Sequence, residues 1–249
     1  MFIYQTIVEY EGTNFVGWQI QKNGPSIQEA IQKILTKILR EKIILYGSGR
    51  TDAGVHAVGQ SAHFITKSKI NNKFFFLNTI NFFLNKKKIS VLKINEKKQN
   101  FHARYSAKKR IYKYIIINRL APLSLDFNRA WHTKSILNIK LMKKAAKILQ
   151  GRKDFSTYRS SSCNARSPIK TLDYAKIKKE DNRIIITFKS KSFLQQQVRS
   201  MVGCLKFVGD EKWSLQKFKD VMNSRKRANC APPAPAHGLY LSKVYYYFF

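Results

Sequence analysis

Residues 42–66, KIILYGSGRTDAGVHAVGQSAHFIT, decide how this chain is read. They hold an apolar β-branched run, a loop punctuated by Gly47, Gly49 and Gly54, and a second run that alternates from Gly59 to Thr66. Period-two alternation marks a half-buried strand, and glycines between two such runs mark a turn. Working outward, residues 2–10 (FIYQTIVEY) are β-branched and aromatic and predict a strand that stops before Gly12. Ser26 to Glu29 form a capping box, and Ile27, Ala30, Ile31, Ile34, Leu35 and Ile38 share one helical stripe. Residues 42–46 predict a short strand, 71–84 a helix and 88–95 another strand.

The second half repeats the pattern. Residues 110–117 (RIYKYIII) predict a strand, and 138–150 a helix closed by Gly151. Residues 172–179 and 184–190 predict two strands turning at Asn182. Then come a helix over 193–208 closed by Gly209, a second over 215–222, and a last strand over 239–247. Each half reads β-α-β-(β)-α-β, which predicts an α+β chain of two ferredoxin-like halves. No Pro/Gly/Ser-rich linker separates them, and the division falls within residues 101–106.

The chain of 249 residues carries 47 Lys and Arg against 14 Asp and Glu, a net charge of +33 spread along its length. With 44% hydrophobic residues it is a folding sequence and not a basic tail, and such a field attracts polyanions. The start, MFIYQT, lacks a basic n-region and a long apolar core, so no secretory signal is expected. No apolar run approaches the length of a membrane span, so no membrane partner is expected either. Cys163, Cys204 and Cys230 are an odd set with no Cys-x-x-Cys pairing, which argues against a disulfide framework or zinc ribbon and for reduced thiols in a cytosol.

Most of the few acids have structural explanations at element ends or helix faces. Asp52 stands apart, in a loop bracketed by glycines and lying between Arg50 and His56. Glycines there let another molecule approach closely, and a carboxylate in a phosphate-seeking protein repels its ligand unless it has a task. The plainer role is a turn cap, bonding nearby backbone N–H groups. The loop lacks the third glycine of a dinucleotide fold and the Gly-Lys-Ser/Thr of a P-loop. No His-x-Glu with Pro-Cys-x-x-Cys occurs, and no second acid lies near Asp52 for a two-metal nuclease.

Residues 49–56, GRTDAGVH, resemble the signature of the tRNA pseudouridine synthase A family. Residues 10–19 (YEGTNFVGWQ) are similar to its N-terminal motif, with Glu11 where Asp is commoner. A colinear series follows: residues 101–107 (FHARYSA), Arg110 with Tyr112 to Tyr114, Asp154-Phe155 through Pro168, Phe193 through Gly203, and Gly238 to Leu241. The likeness covers essentially the whole chain. It implies a pseudouridine synthase fold, two ferredoxin- or RRM-like halves sharing a mixed, mainly antiparallel sheet with a central active-site cleft. Residues 1–104 would carry the Asp loop and 105–249 would complete the cleft. The activity implied is isomerisation of uridine to pseudouridine at positions 38, 39 and 40 of the tRNA anticodon stem-loop, by a cytoplasmic homodimer without cofactor or metal. Asp52 matches the essential carboxylate, which either adds to the nucleoside or assists glycosidic cleavage. Arg199 matches the arginine that pairs with it, Tyr112 the tyrosine that stacks on the target base, and Arg50 a residue that helps extrude the nucleotide. Leu239 would line the apolar pocket wall. Gln197 stands where Met is common and His237 where Glu is common.

Read without the likeness, Arg199 is equally a phosphate contact, and Tyr112 a strand aromatic sharing a face with Tyr114 and Ile116. The five histidines lack metal-ligand spacing, and His56 and His102 suit core or RNA-contact roles. Arg104, Lys108, Lys109, Arg110, Arg152, Lys153, Arg159 and Arg166 suit backbone contacts that add affinity without reading sequence. The rival class is a non-catalytic RNA-binding module, which explains the charge but not a glycine-bracketed Asp with colinear partners.

Overall fold

The computed structural model describes residues 1–247. In chain order the elements are β1 (Phe2–Tyr10), α1 (Ile27–Leu39), β2 (Tyr46–Gly47), β3 (His56–Thr66), α2 (Lys73–Leu84), β4 (Ile89–Lys97), β5 (Lys109–Asn118), β6 (Trp131–Thr133), α3 (Ile139–Ile148), β7 (Gly151–Asp154), β8 (Ile169–Glu180), β9 (Arg183–Ser190), α4 (Gln197–Gly209), α5 (Leu215–Asn223) and β10 (Leu239–Tyr245). The class is α+β, as expected, and the strand pairings are mixed and mainly antiparallel. The chain divides into two compact units, one of Met1–Lys108 with the segment from Tyr240 onward, the other of Lys109–Leu239. Among the described residues no helix is long and apolar enough to cross a membrane.

In the first unit the strands run β4-β1-β3-β10, with β2 on β3. β1 is antiparallel to β3 from Phe2↔Thr66 to Tyr10↔Ala57, whereas β10 lies parallel to β3 through Tyr240↔His56 and Leu241↔Ala57. Ser26 caps α1 through its Oγ, which accepts the Glu29 N–H at 3.2 Å. Glu29's carboxylate pairs with Lys33 one turn on, so only half of the capping box forms. Ile27, Ala30, Ile31 and Leu35 of α1 are buried, as are Phe76, Ile80 and Leu84 of α2.

The strand expected at residues 42–46 is nearly absent; only Tyr46 and Gly47 pair. The backbone there is satisfied by side chains of α1 instead. Ile43 N–H donates to Thr36 Oγ1 at 3.2 Å, Leu45 N–H to Gln32 Oε1 at 3.0 Å, and Gln28 Nε2 to Leu45 O at 2.6 Å. With those groups bonded, Ile43 and Leu45 are buried without a ladder.

In the second unit the order is β5-β9-β8-β7, with β6 parallel to β5. The three-residue β6 and four-residue β7 are too short and too polar to show a period in sequence. α4 starts at Gln197, not Phe193, because Gln196 takes a left-handed conformation (φ 60°). Gly209 is the last residue of α4, and Asp210 caps it. Buried Phe155, Tyr158, Phe188, Tyr114 and Phe218 fill this unit's core.

Candidate active site

Asp52 is half-buried, while its neighbours Thr51, Val55 and His56 are buried. The Val55 N–H donates to Asp52 O at 3.2 Å, closing a turn in which Gly54 takes φ 74°. That is the third turn position, where positive φ suits glycine. Residues 10–19 hold this turn from behind. Tyr10 Oη and Thr51 Oγ1 are 2.8 Å apart, Trp18 N–H donates to Thr51 O at 3.1 Å, and Gly12 N–H donates to His56 Nδ1 at 2.9 Å. A donor facing Nδ1 requires that nitrogen unprotonated, so the His56 imidazole acts here as an acceptor, buried against Tyr240 with ring centres 4.9 Å apart.

Gly17 sits at φ 115°, and a Cβ there would lie 2.5 Å from Thr51 O. Only glycine lets the motif backbone lie this close to the turn. On the near side of the loop, Ser48 Oγ donates to Gln60 Oε1 at 2.7 Å in the buried interior, and Gln60 Nε2 donates to the half-buried Gly49 O at 2.8 Å. The same motif takes the first donors of α1, Ile27 N–H to Gly17 O at 3.1 Å and Gln28 N–H to Trp18 O at 3.0 Å. The loop backbone is thus bonded on two sides around the half-buried Asp52. Arg50 projects outward from it, exposed, with Nε on Gln19 Oε1 at 3.2 Å.

The other three matched residues belong to the second unit. Arg199, in the first turn of α4, is clamped by Ala234: its Nε donates to Ala234 O at 2.8 Å and its carbonyl accepts the Ala234 N–H at 3.0 Å. Ala234 lies on a strap, residues 227–239, that runs along α4. A Cβ at Gly203 would fall 2.1 Å from Pro232 O, so α4 and the strap meet backbone to backbone. Tyr114 Oη donates to Pro235 O at 2.8 Å. Burial raises the Tyr114 phenol far above its usual value, and the Arg199 charge opposes this. Burial and then Arg199 lower the His237 imidazole, against a backbone hydrogen bond at Ala130. His237 is therefore neutral at pH 7 and adds no charge of its own beside Arg199.

Tyr112, buried on β5 opposite Phe188, meets Phe193 edge-on at 5.2 Å. Leu239, buried, ends the strap and opens β10. Glu11 pairs with Lys88 at 2.9 Å. Gln197 is buried, its Oε1 accepting Leu194 N–H at 2.8 Å, and its Nε2 has no hydrogen-bond partner. Sequence reasoning named Asp52 but not the residues that fix it, Tyr10, Gly17, Thr51, Ser48 and Gln60. Tyr10, Gly17 and Thr51 carried the signal of position within the two glycine-containing motifs, whereas Ser48 and Gln60 lie outside both. Among the described residues no group of three His, Cys, Asp or Glu is arranged to hold a metal.

A family model described as tRNA pseudouridine synthase matches residues 6–106 and 145–247. The chain is 61% identical to the tRNA pseudouridine synthase A of Pelagibacter ubique over 246 residues, covering 99% of this chain and 100% of that one. It is 43% identical to the protein of that name from Ehrlichia canis and 42% to that from Neorickettsia sennetsu, each over 98% of this chain and 99% of the relative. Motifs, fold class and matched length agree, and the chain belongs to the tRNA pseudouridine synthase family.

Proposed function

We propose that this chain isomerises uridine to pseudouridine in tRNA, at positions 38, 39 and 40 of the anticodon stem-loop, with Asp52 as its nucleophile. Family membership supports the reaction. The observation that carries the residue assignment is the Asp52 turn, a half-buried carboxylate on a backbone bonded from both sides. A cap residue would not need such support.

The reaction breaks the C1′–N1 bond, turns the uracil and joins C1′ to C5; the C5 proton leaves and N1 gains one. It is redox-neutral, so the reading includes no cofactor. Asp52 supplies the carboxylate, and Arg199 is the cation that keeps it ionised. Tyr112 stacks on the base and assists loss of the C5 proton, Leu239 walls the pocket, and exposed Arg50 helps hold the nucleotide out of its helix. The spread of +33 charge supports phosphate binding, including the concavity of about 370 Å³ lined by Lys33, Lys86, Lys87 and Lys88. The reading places the enzyme in the cytoplasm as a homodimer; exposed Phe74, Phe75 and Phe82 on α2 supply apolar surface. Light scattering at the monomer mass in physiological salt would remove the dimer.

The test is Asp52→Asn, which keeps shape and turn-capping capacity but removes the charge. Tritium release from C5-labelled uridine in tRNA becomes undetectable, while filter binding of the same tRNA is unchanged or slightly tighter. Turnover retained by Asp52→Asn ends the nucleophile assignment and leaves Asp52 as a turn cap.

A further inference from the structure

Cys204 and Cys230 are 26 residues apart, yet their sulfurs lie 3.4 Å from each other. Cys204 is on the buried face of α4, and Cys230, half-buried, follows the single turn Arg227–Asn229 that opens the strap. Cys163 is also a free thiol. Arg227 serves both elements, its Nη1 donating to Ser200 Oγ on α4 at 3.1 Å. The hydrogen bond from Cys204, then the charge and hydrogen bond of Arg227, hold the Cys230 thiol below its usual value against burial. Cys204 is pushed the other way, by its hydrogen bond to Cys230 and by burial. Of two sulfurs in contact, Cys230 is therefore the one that ionises more readily, the order expected of an attacking and a resolving cysteine. Beside them Tyr158 Oη is buried with no hydrogen-bond partner, and its phenol is raised by burial and by both cysteines, so it stays protonated.

We propose that Cys204 and Cys230 form a reversible intrachain disulfide when the protein meets hydrogen peroxide, pinning the strap to α4. The Cys230 thiolate attacks one peroxide oxygen, the O–O bond breaks, and the departing hydroxide takes a proton to become water, leaving a sulfenic acid. Cys204 Sγ then attacks the Cys230 sulfur, the S–O bond breaks, and the hydroxide leaves with the Cys204 proton as a second water. The dithiol has lost two electrons and two protons, and the peroxide has been reduced to two waters. Closing the sulfurs from 3.4 Å to a bond of about 2.0 Å needs a side-chain rotation and a small strap movement. The bond would join α4 to the segment that carries Arg199's Ala234 partner.

The experiment treats the reduced full-length chain with a few equivalents of hydrogen peroxide, blocks remaining thiols and digests with trypsin. The expected product links peptide 200–206 (SMVGCLK) to peptide 228–243 (ANCAPPAPAHGLYLSK), with Cys163 still blockable. Two of the three thiols are lost and return with dithiothreitol, and Tm of the oxidised form rises by about 5 °C because the unfolded chain is cross-linked. Cys230→Ser abolishes the link and the shift; Cys163→Ser keeps both. Three persisting thiols, a link through Cys163 or between chains, or conversion of Cys230 to a sulfinic acid without a link would each overturn the proposal. None of these readouts uses tRNA, so they stand or fall separately from the isomerase reading.

Discussion

The two units fix their principal side chains by different means. In the first, Asp52 sits on a turn whose backbone is bonded by buried side chains and by a glycine-containing motif 33 to 42 residues earlier in the chain. In the second, Arg199 sits on a regular helix, and what orients it is a strap drawn alongside, bonded through Ala234. A carboxylate on a loop needs its backbone immobilised before its side chain has a direction. An arginine on a helix already has a rigid base, and it needs its long side chain aimed. The difference predicts that the Asp52 turn is broken most easily through backbone space and the Arg199 clamp through donor geometry.

Gly17→Ala tests the first half and has the largest effect. Its Cβ would meet Thr51 O at 2.5 Å with φ at 115°, so either the motif or the turn must move. Stability falls by about 2–4 kcal/mol, and turnover falls on the order of a hundredfold at temperatures where circular dichroism shows the chain folded. Wild-type turnover in a folded Gly17→Ala protein would break the claim that the motif positions Asp52. Arg199→Lys tests the second half. It keeps the charge but loses the Nε donor to Ala234 O, so kcat falls by about tenfold or more with tRNA KM little changed. An unchanged kcat would show that charge alone suffices there.

The third test concerns pH and the first unit's polar interior. His63 Nδ1 accepts Ala103 N–H at 3.2 Å, and its pKa is pushed down to about 4 by burial, then by His102, against a backbone hydrogen bond at Tyr46. The unfolded imidazole takes a proton near 6.5, so between about pH 6.5 and pH 4 the unfolded state binds more protons. His63's contribution is therefore complete above that window and is lost as pH falls through it. Scanning calorimetry should show Tm dropping from about pH 7 to about pH 5, with a smaller drop in His63→Asn, which keeps an acceptor and cannot titrate. An equal drop in both proteins would remove His63 as a cause. The smallest effect is that of Tyr10→Phe, which removes the hydroxyl partner of Thr51 and costs about 1 kcal/mol by urea unfolding. No loss would mean that Thr51 is satisfied elsewhere.

Local patterns in the sequence were sufficient for β1, α1, α2, β5, β8 and β9, because each has its own period and its own end signals. They failed at residues 42–46, where apolar content suggests a strand but Gln28, Gln32 and Thr36 take up the backbone groups. They failed again at the start of α4, where a left-handed Gln196 delays the helix, and at β6 and β7, which are short and exist through their partners. Cys204 and Cys230 read as unrelated thiols until the strap brings them together.

By itself the sequence determined the class of the chain, the order of its longer elements and the singular position of Asp52, since charge, periodicity and glycine spacing are local properties. The tertiary structure alone decided which groups hold that Asp, which backbone carbonyl aims Arg199, and which two cysteines meet. Each of those depends on a hydrogen bond or a van der Waals contact between residues tens of positions apart. Such contacts have no period and leave no local mark, because they exist only once the apolar surfaces of strands and helices have been buried against one another.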